Sequence, residues 1–426
     1  MGVRGVRALY LCTGGAIGTF YPFIWVILLG HGFSVEAVGA VAAISAVVLT
    51  LAVPTWGHVA DVLLGRPRAL QIAIGGAAVA LLITLGPVPD LVLATCFVGF
   101  AFFESAFGPL SDALAVNAVR DPRRDYARVR LLSSLAFAPI VVAAGFLYDR
   151  TGYGPAPVLF AILALAAIVS AAFVPDVERA DLHAIAADET GDEARVDAND
   201  GARGGARARR GRLPTWRLGS VGVALSVVPR LPLALLAIFL IHVGILAGWT
   251  FLAVRLRELG ASPHDIALSS GVSATAEVPA FLLLSIVGRR LGVRTVFTLA
   301  AILYCGCFVA WTFLADPGLI IATRIGTGIA FAAITSSAVL TIATLLPDRL
   351  QATGQALYQT TAFGLAAILA NVTGGIVYGV AGPGMLFGGA AVLGLLAALV
   401  GWFVLPRRAA WAVPAAPIVG PGLEPR

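Results

Sequence analysis

Residues 95–110 read TCFVGFAFFESAFGPL, and residues 270–288 read SGVSATAEVPAFLLLSIVG. Each lies in an apolar run long enough to cross a bilayer as a helix, and each carries a lone mid-run carboxylate, Glu104 and Glu277. A charge at mid-bilayer costs about 2.5–3.5 kcal/mol on insertion scales. Side chains that expensive face a protein interior or a wet path rather than acyl chains. The pattern predicts a membrane protein that moves something, with acids available to bind a proton or a solute.

Similar runs recur along all 426 residues, which are 59% hydrophobic and only 12% charged. A soluble domain needs about 25% charged residues to clothe its surface. With a mean hydropathy of +0.92, this chain is expected to be all-α and embedded in the membrane. Runs of about 20 residues predict twelve spans, at about 7–29, 35–57, 69–87, 91–116, 128–148, 154–174, 231–254, 265–287, 295–314, 318–345, 351–379 and 384–405. The 48 Gly and 24 Pro suit membrane helices, where small residues let backbones approach and kinks are tolerated. Arg4 and Arg7 precede an apolar segment too long for a signal core, so the first span is expected to stay uncleaved.

All 29 basic residues are Arg. With a cytoplasmic N-terminus, 25 fall inside, three outside (Arg150, Arg255, Arg257) and one in the membrane (Arg324). That asymmetry predicts cytoplasmic termini in the plasma (inner) membrane. The basic pI of about 9.5 then reflects topology and contact with anionic lipid, not nucleic acid. Cys12, Cys96, Cys305 and Cys307 all fall within spans, without metal-ligand spacing, and read as small packing residues. Neither a cofactor nor a metal is expected.

Residues 176–200 hold nine acids and two Arg, and 201–217 hold six Arg and no acid. This reads as a largely disordered cytoplasmic linker over 176–229. It divides the chain into an N-terminal six-helix bundle (1–175) and a C-terminal one (230–406), followed by a cytoplasmic tail (407–426). The halves echo each other at an offset near 230. Gly57-His-Val-Ala-Asp61 through Gly65-Arg-Pro-Arg68 follows span 2, and Gly288-Arg-Arg-Leu-Gly292-Val-Arg294 follows span 8. Gly145-Phe-Leu-Tyr148 and Gly375-Ile-Val-Tyr378 end spans 5 and 11. Parallel halves with a site at their interface describe alternating-access carriers.

These loops resemble the signature of the major facilitator superfamily. Tyr21-Pro-Phe23, Ala42-Ala-Ile-Ser45, Pro54-Thr-Trp-Gly57, Pro109-Leu-Ser-Asp-Ala-Leu114, Tyr126-Ala-Arg-Val-Arg130 and Gly354-Gln-Ala-Leu-Tyr358 resemble its lactose permease, 3-phenylpropionate permease and nucleoside–proton symporter branch. The resemblance implies a monomeric secondary transporter, probing membrane lipid with its surface and carrying a small-molecule solute together with protons. It does not name the solute.

Asp112 and Arg130 lie nine residues either side of position 121, so antiparallel spans 4 and 5 bring them to one level. The resemblance implies that they bind solute; a structural ion pair is the alternative. Arg128, two residues away, points elsewhere, toward headgroups. Glu104 either takes up a proton or finds Arg or His on another helix. Glu277, ahead of the kinking Pro279, matches an acid of the branch that serves binding or coupling. Arg324 either pairs with Glu277 or snorkels outward. The branch's Arg in span 9 and His in span 10 are missing here, where Leu303-Tyr-Cys-Gly306 and Gly326-Thr-Gly328 stand. His242 is a candidate proton relay or a packing histidine. Asn371 either lines the path or joins two helices. Tyr21, Phe23, Trp25 and Trp249 form an aromatic platform or serve as anchors and core. Asp61, with Gly57, Gly65, Arg66 and Arg68, reads as a gate that caps the helix starting near Gln351, or as a local ion pair with one of the two Arg.

Three rival readings follow. Exporters of this fold carry Gly-Pro-x-x-Gly-Gly in span 5, where this chain has Leu135-Ala-Phe-Ala-Pro-Ile140. An embedded enzyme would need a metal, Ser–His or phosphate-cradling pattern, and none is found. A sensor that carries no flux is neither favoured nor excluded.

Overall fold

A computed structural model describes residues 2–119, 122–174, 225, 228–347 and 350–407; the side chains of 122–127, 285 and 352 lie outside the description. The expected linker and tail therefore fall almost wholly outside the described residues. Those that are described form helices and no strand. A bilayer core offers no water to satisfy backbone N–H and C=O, and the helix satisfies them within each segment.

Among the described residues, ten helices are long and apolar enough to cross a membrane. One of them, Ala366–Val404, is two helices meeting at Gly382, whose φ of 80° only glycine adopts readily, just ahead of Pro383. Ala156–Ala172 adds a shorter apolar helix. Twelve crossings result. We label them α1 (Gly2–Phe20 continued by Ile24–Gly30), α2 (Val35–His58), α3 (Arg66–Leu82), α4 (Asp90–Glu104 and Phe107–Ala118), α5 (Pro122–Thr151) and α6 (Ala156–Ala172). In the second half come α7 (Leu231–Glu258), α8 (Pro263–Leu291), α9 (Val293–Phe313), α10 (Pro317–Leu345), α11 (from Gln351 to the Gly382 break) and α12 (from there to Val404).

Within the first half α1 packs on α5 and α6, α3 on α4 and α6, and α2 on α4. Within the second, α7 and α9 pack on the α11–α12 rod, and α10 on α8 and α9. Aromatic stacks fill both interiors: Phe20 meets Phe97 at 5.6 Å and Phe100 at 5.5 Å, and Trp311 meets Phe308 and Phe387, each at 5.4 Å.

Two helix pairs make most of the contact between the halves, α2 with α11 and α5 with α8. Their contacts concentrate at the end away from residues 2 and 407. A Cβ on Gly39 of α2 would sit 2.7 Å from both Gly375 Cα and Asn371 O of α11. A Cβ on Gly145 of α5 would sit 2.5 Å from Ala267 Cβ of α8. Small residues let the backbones touch there, as membrane helices require in the absence of a hydrophobic drive. Arg257 Nη1 donates to Val26 O at 2.7 Å, and Phe146 stacks on His264 at 3.8 Å. The halves are closed against each other at this end.

Candidate functional site

Two helices of the first half break part-way along their length. In α1, Tyr21-Pro22-Phe23 forms a 3₁₀ turn, and this turn packs against α8 of the other half. In α4, the helix stops after Glu104 and resumes at Phe107. Pro109 explains the stop: it has no N–H for Ser105 O, and its ring crowds that carbonyl. Phe102 O accepts instead from Ser105 Oγ at 2.7 Å and from Trp56 Nε1 at 2.9 Å. Glu104 and Tyr21 thus stand at neighbouring breaks, close enough to interact electrostatically. The Glu104 carboxylate forms no hydrogen bond or ion pair among the described residues. Broken helices are where carriers of this architecture place their sites.

Asp112 and Arg130 meet as the hairpin symmetry predicts: Arg130 Nη1 lies 3.6 Å from Asp112 Oδ2. Tyr10 of α1, which sequence reasoning missed, donates its hydroxyl to Asp112 Oδ1 at 2.5 Å. The pair is open, with side chains 65% (Arg130) and 30% (Asp112) exposed. One turn deeper along the same helix faces lies a cavity of about 190 Å³. Gly14 and Ile17 continue the face of Tyr10; Ser133, Ser134 and Phe137 continue that of Arg130. Ala274 of α8 completes the lining, so the cavity spans both halves. Glu277 is the next turn of that α8 face.

Arg324 is buried at 8% exposure and does not snorkel. Its Nε donates to Ser269 O at 3.2 Å, its Nη1 to Thr327 Oγ1 at 2.9 Å, and its guanidinium lies 5.9 Å from the Trp311 ring. Glu277 feels this charge but forms no direct ion pair with it among the described residues. A buried cation held only by neutral acceptors leaves a neighbouring carboxylate free to change its own partner.

Other candidates settle away from this constellation. Asn371 is buried, and its Oδ1 accepts from Thr250 Oγ1 at 2.7 Å, so it joins α7 to α11 and does not line the path. His242 is fully buried inside the second half, with Nδ1 2.7 Å from Ile238 O and Tyr358 and Phe363 edge-on around its ring. That is a packing position; no acid of the site touches it. The aromatic platform does not assemble. Phe23 turns into the first half against Tyr148 (5.0 Å) and Tyr153 (5.6 Å), and Trp249 lies tilted against Phe331 at 5.4 Å. Tyr21 stays 39% exposed and Trp25 is half-buried. Asp61 takes the local alternative, with Arg66 Nε at 3.4 Å from its Oδ1. Gly65 turns the chain at φ 82°, Arg68 is exposed, and Gly57 has nothing within 4 Å of an added Cβ.

At the closed end, Asp149 holds the start of α8, accepting from His264 N at 2.8 Å and Ser262 Oγ at 3.4 Å. A signal for this was present: Gly145-Phe-Leu-Tyr-Asp149 repeats the Gly-x-x-x-Asp spacing of Gly57-His-Val-Ala-Asp61. Beside it, burial pushes the Tyr153 phenol up to about 12, with Arg257 pulling the other way. Tyr153 is therefore neutral in the gate. Tyr378 Oη donates to Glu258 Oε2 at 2.6 Å, tying α11 to α7.

Two six-helix halves, a helix broken where it meets the other half and a cavity lined from both define a secondary transporter of the major facilitator type. A family model described as the MFS_1-like family matches residues 5–388. The chain belongs to that family. It is 26% identical over 375 residues to the maltose permease of Geobacillus stearothermophilus, covering 84% of each. A mutant of the nucleoside transporter NupG superimposes with a TM-score of 0.73 at 16% identity, over 94% of this chain and 98% of that one. A D-xylose–proton symporter superimposes at 0.65 and 16% identity, over 95% and 97%. At these identities the solved structures support the fold alone.

Proposed function

We propose that this chain is a proton-coupled symporter that takes up a small polar organic solute (a sugar, an aromatic acid or a nucleoside) across the plasma (inner) membrane by alternating access. The observation that carries the reading is the Tyr10–Asp112–Arg130 group, set one helical turn from a cavity that Ala274 of the other half completes. A planar guanidinium and an adjacent carboxylate offer paired donors and acceptors suited to hydroxyl groups. The maltose permease relative makes sugars the first class to test.

In this reading the end bearing residues 2 and 407 is cytoplasmic, as the Arg distribution favours, and the closed end faces outward. Glu277 and Glu104 carry the proton: neutralising a carboxylate lowers the cost of moving it through a closed, dry state. Arg324 sets the field at Glu277. The carrier works as a monomer, surrounded by lipid.

Purified protein in proteoliposomes tests this with radiolabelled maltose, phenyl-acids and nucleosides, with and without an imposed inward proton gradient. The expected result is gradient-dependent accumulation of one class above the external concentration. Solute entry that ignores the gradient, or dye extrusion driven by it, would defeat the proposal.

A further inference from the structure

A second cleft, of about 610 Å³, opens at the end of the molecule that carries residues 2 and 407, remote from the seam. Its walls are Arg230 ahead of α7, Arg294 at the start of α9, and Trp402, Phe403, Pro406 and Arg407 at the end of α12. Three guanidinium groups converge here, and Arg294 feels both Arg230 and Arg407 as like charges. No acid forms an ion pair with any of them among the described residues. Bringing three cations together without a counter-ion is unfavourable unless an anion joins them.

The cleft is built, not incidental. Arg294 Nε donates to Leu405 O at 2.9 Å, and its guanidinium lies 6.0 Å from the Trp402 ring. Gly292, in the left-handed turn between α8 and α9, lets the Arg407 carbonyl press onto its Cα. These contacts pin the end of α12 to the start of α9 and leave Arg294 in the cleft wall with no further hydrogen bond among the described residues.

We propose that this cleft binds the phosphate of an anionic phospholipid. Its level identifies the ligand class: α12 ends at Val404, so Trp402 (46% exposed) and Phe403 (70% exposed) stand where acyl chains meet headgroups. A soluble phosphate would use the Arg residues alone and gain nothing from the two outward aromatic rings. A lipid uses both, its phosphate accepting charge-assisted hydrogen bonds from Arg and its chains covering Trp402 and Phe403. The site takes the same ligand whichever leaflet it faces, and it stands independently of the solute-binding reading.

The test is native mass spectrometry and thermal unfolding of the full-length protein, delipidated and then offered phosphatidylglycerol, cardiolipin, phosphatidylcholine or inorganic phosphate. The Arg230→Gln/Arg407→Gln double variant leaves the Arg294–Leu405 bond intact and isolates the ligand's contacts. Arg289→Gln, on an exposed Arg at the same end, is the control. Each basic side chain near an anionic surface contributes a factor of about five. The double variant should therefore bind phosphatidylglycerol or cardiolipin roughly twenty-five-fold more weakly, the single control at most about five-fold more weakly, and phosphatidylcholine should be inert. Equal losses in variant and control overturn the proposal. So does stabilisation by inorganic phosphate matching that by lipid. Lipid binding that appears only after the acidic stretch 176–200 is deleted also overturns it, since the occupant is then the chain's own linker.

Discussion

Asp149 Oδ1 accepts the backbone N–H of His264 at 2.8 Å, across the seam between the two halves. The first backbone N–H groups of a helix have no internal partner, and a carboxylate there meets both a donor and the positive end of the helix dipole. Asp149 therefore clamps α5 of one half to the start of α8 of the other. The bond is made while Asp61, in the equivalent Gly-x-x-x-Asp frame at the opposite end, is turned to its own neighbour Arg66. Alternating access requires such contacts to form at one end and part at the other.

Removing the Asp149 clamp should loosen the closed end. A helix-terminus charge contributes about 0.3–2 kcal/mol, which changes a two-state population by roughly two- to thirty-fold. Spin labels at Gly152→Cys and Ala261→Cys bracket the seam. The Asp149→Ala variant should add a longer distance to their distribution, and Asp149→Asn, which keeps one acceptor, should add less. An unchanged single distance in Asp149→Ala would show that the clamp holds nothing.

The Asp112–Arg130 pair separates a binding role from a structural one. An ion pair this exposed contributes about 0–1 kcal/mol to stability, so Arg130→Gln should leave the melting temperature within a degree or two of the parent. Solute uptake should nevertheless fall at least tenfold, because the lost fork removes two directed hydrogen bonds. Exchanging the two residues (Asp112→Arg with Arg130→Asp) restores the attraction but not the geometry beside Tyr10. Full uptake in the exchanged protein would mean that the pair only neutralises itself.

Much of this architecture is legible in the sequence, for a physical reason. The bilayer fixes helix length, so hydropathy alone places the spans, and Gly382-Pro383 marks the break between the last two. Asp112 and Arg130 are legible because hairpin symmetry equates depth with distance from the turn. Which way a side chain points is another matter. A membrane helix is apolar toward both lipid and neighbouring helices, so its sequence carries little angular phase. Asn371 and His242 are polar residues at plausible depths, and nothing in their flanks tells that both face the second half's interior. Asp149 is a different case: the repeated Gly-x-x-x-Asp spacing marks the residue, but its partner is a backbone N–H, which no side-chain pattern announces.

Gly39 should be intolerant of any added bulk. A Cβ there would sit 2.7 Å from Gly375 Cα and from Asn371 O, both on a helix held by its own packing. Gly39→Val should keep the halves apart at this end and abolish net transport. Binding of solute should survive, measured by thermal stabilisation, because the Asp112 site lies on other helices. Uptake within twofold of the parent would place the functional closure elsewhere.

Glu277 is the last and most direct test of coupling. It forms no hydrogen bond or ion pair among the described residues, yet it lies within the field of the buried Arg324 cation. A carboxylate in that position can alternate between charged and neutral forms at modest structural cost, whereas Arg324, fixed by Ser269 O and Thr327 Oγ1, stays charged throughout. Glu277→Gln is isosteric and permanently neutral. If Glu277 carries the proton, the variant should lose accumulation driven by a proton gradient while solute exchange at equal concentrations continues within a few-fold of the parent. Arg324→Gln should behave differently: it leaves Ser269 O and Thr327 Oγ1 without their donor in a buried site, a loss of about 1–3 kcal/mol of stability, and should lower the yield of folded protein. Uphill accumulation that persists in Glu277→Gln would move the coupling role to Glu104, where Glu104→Gln would then have to show the same split between accumulation and exchange.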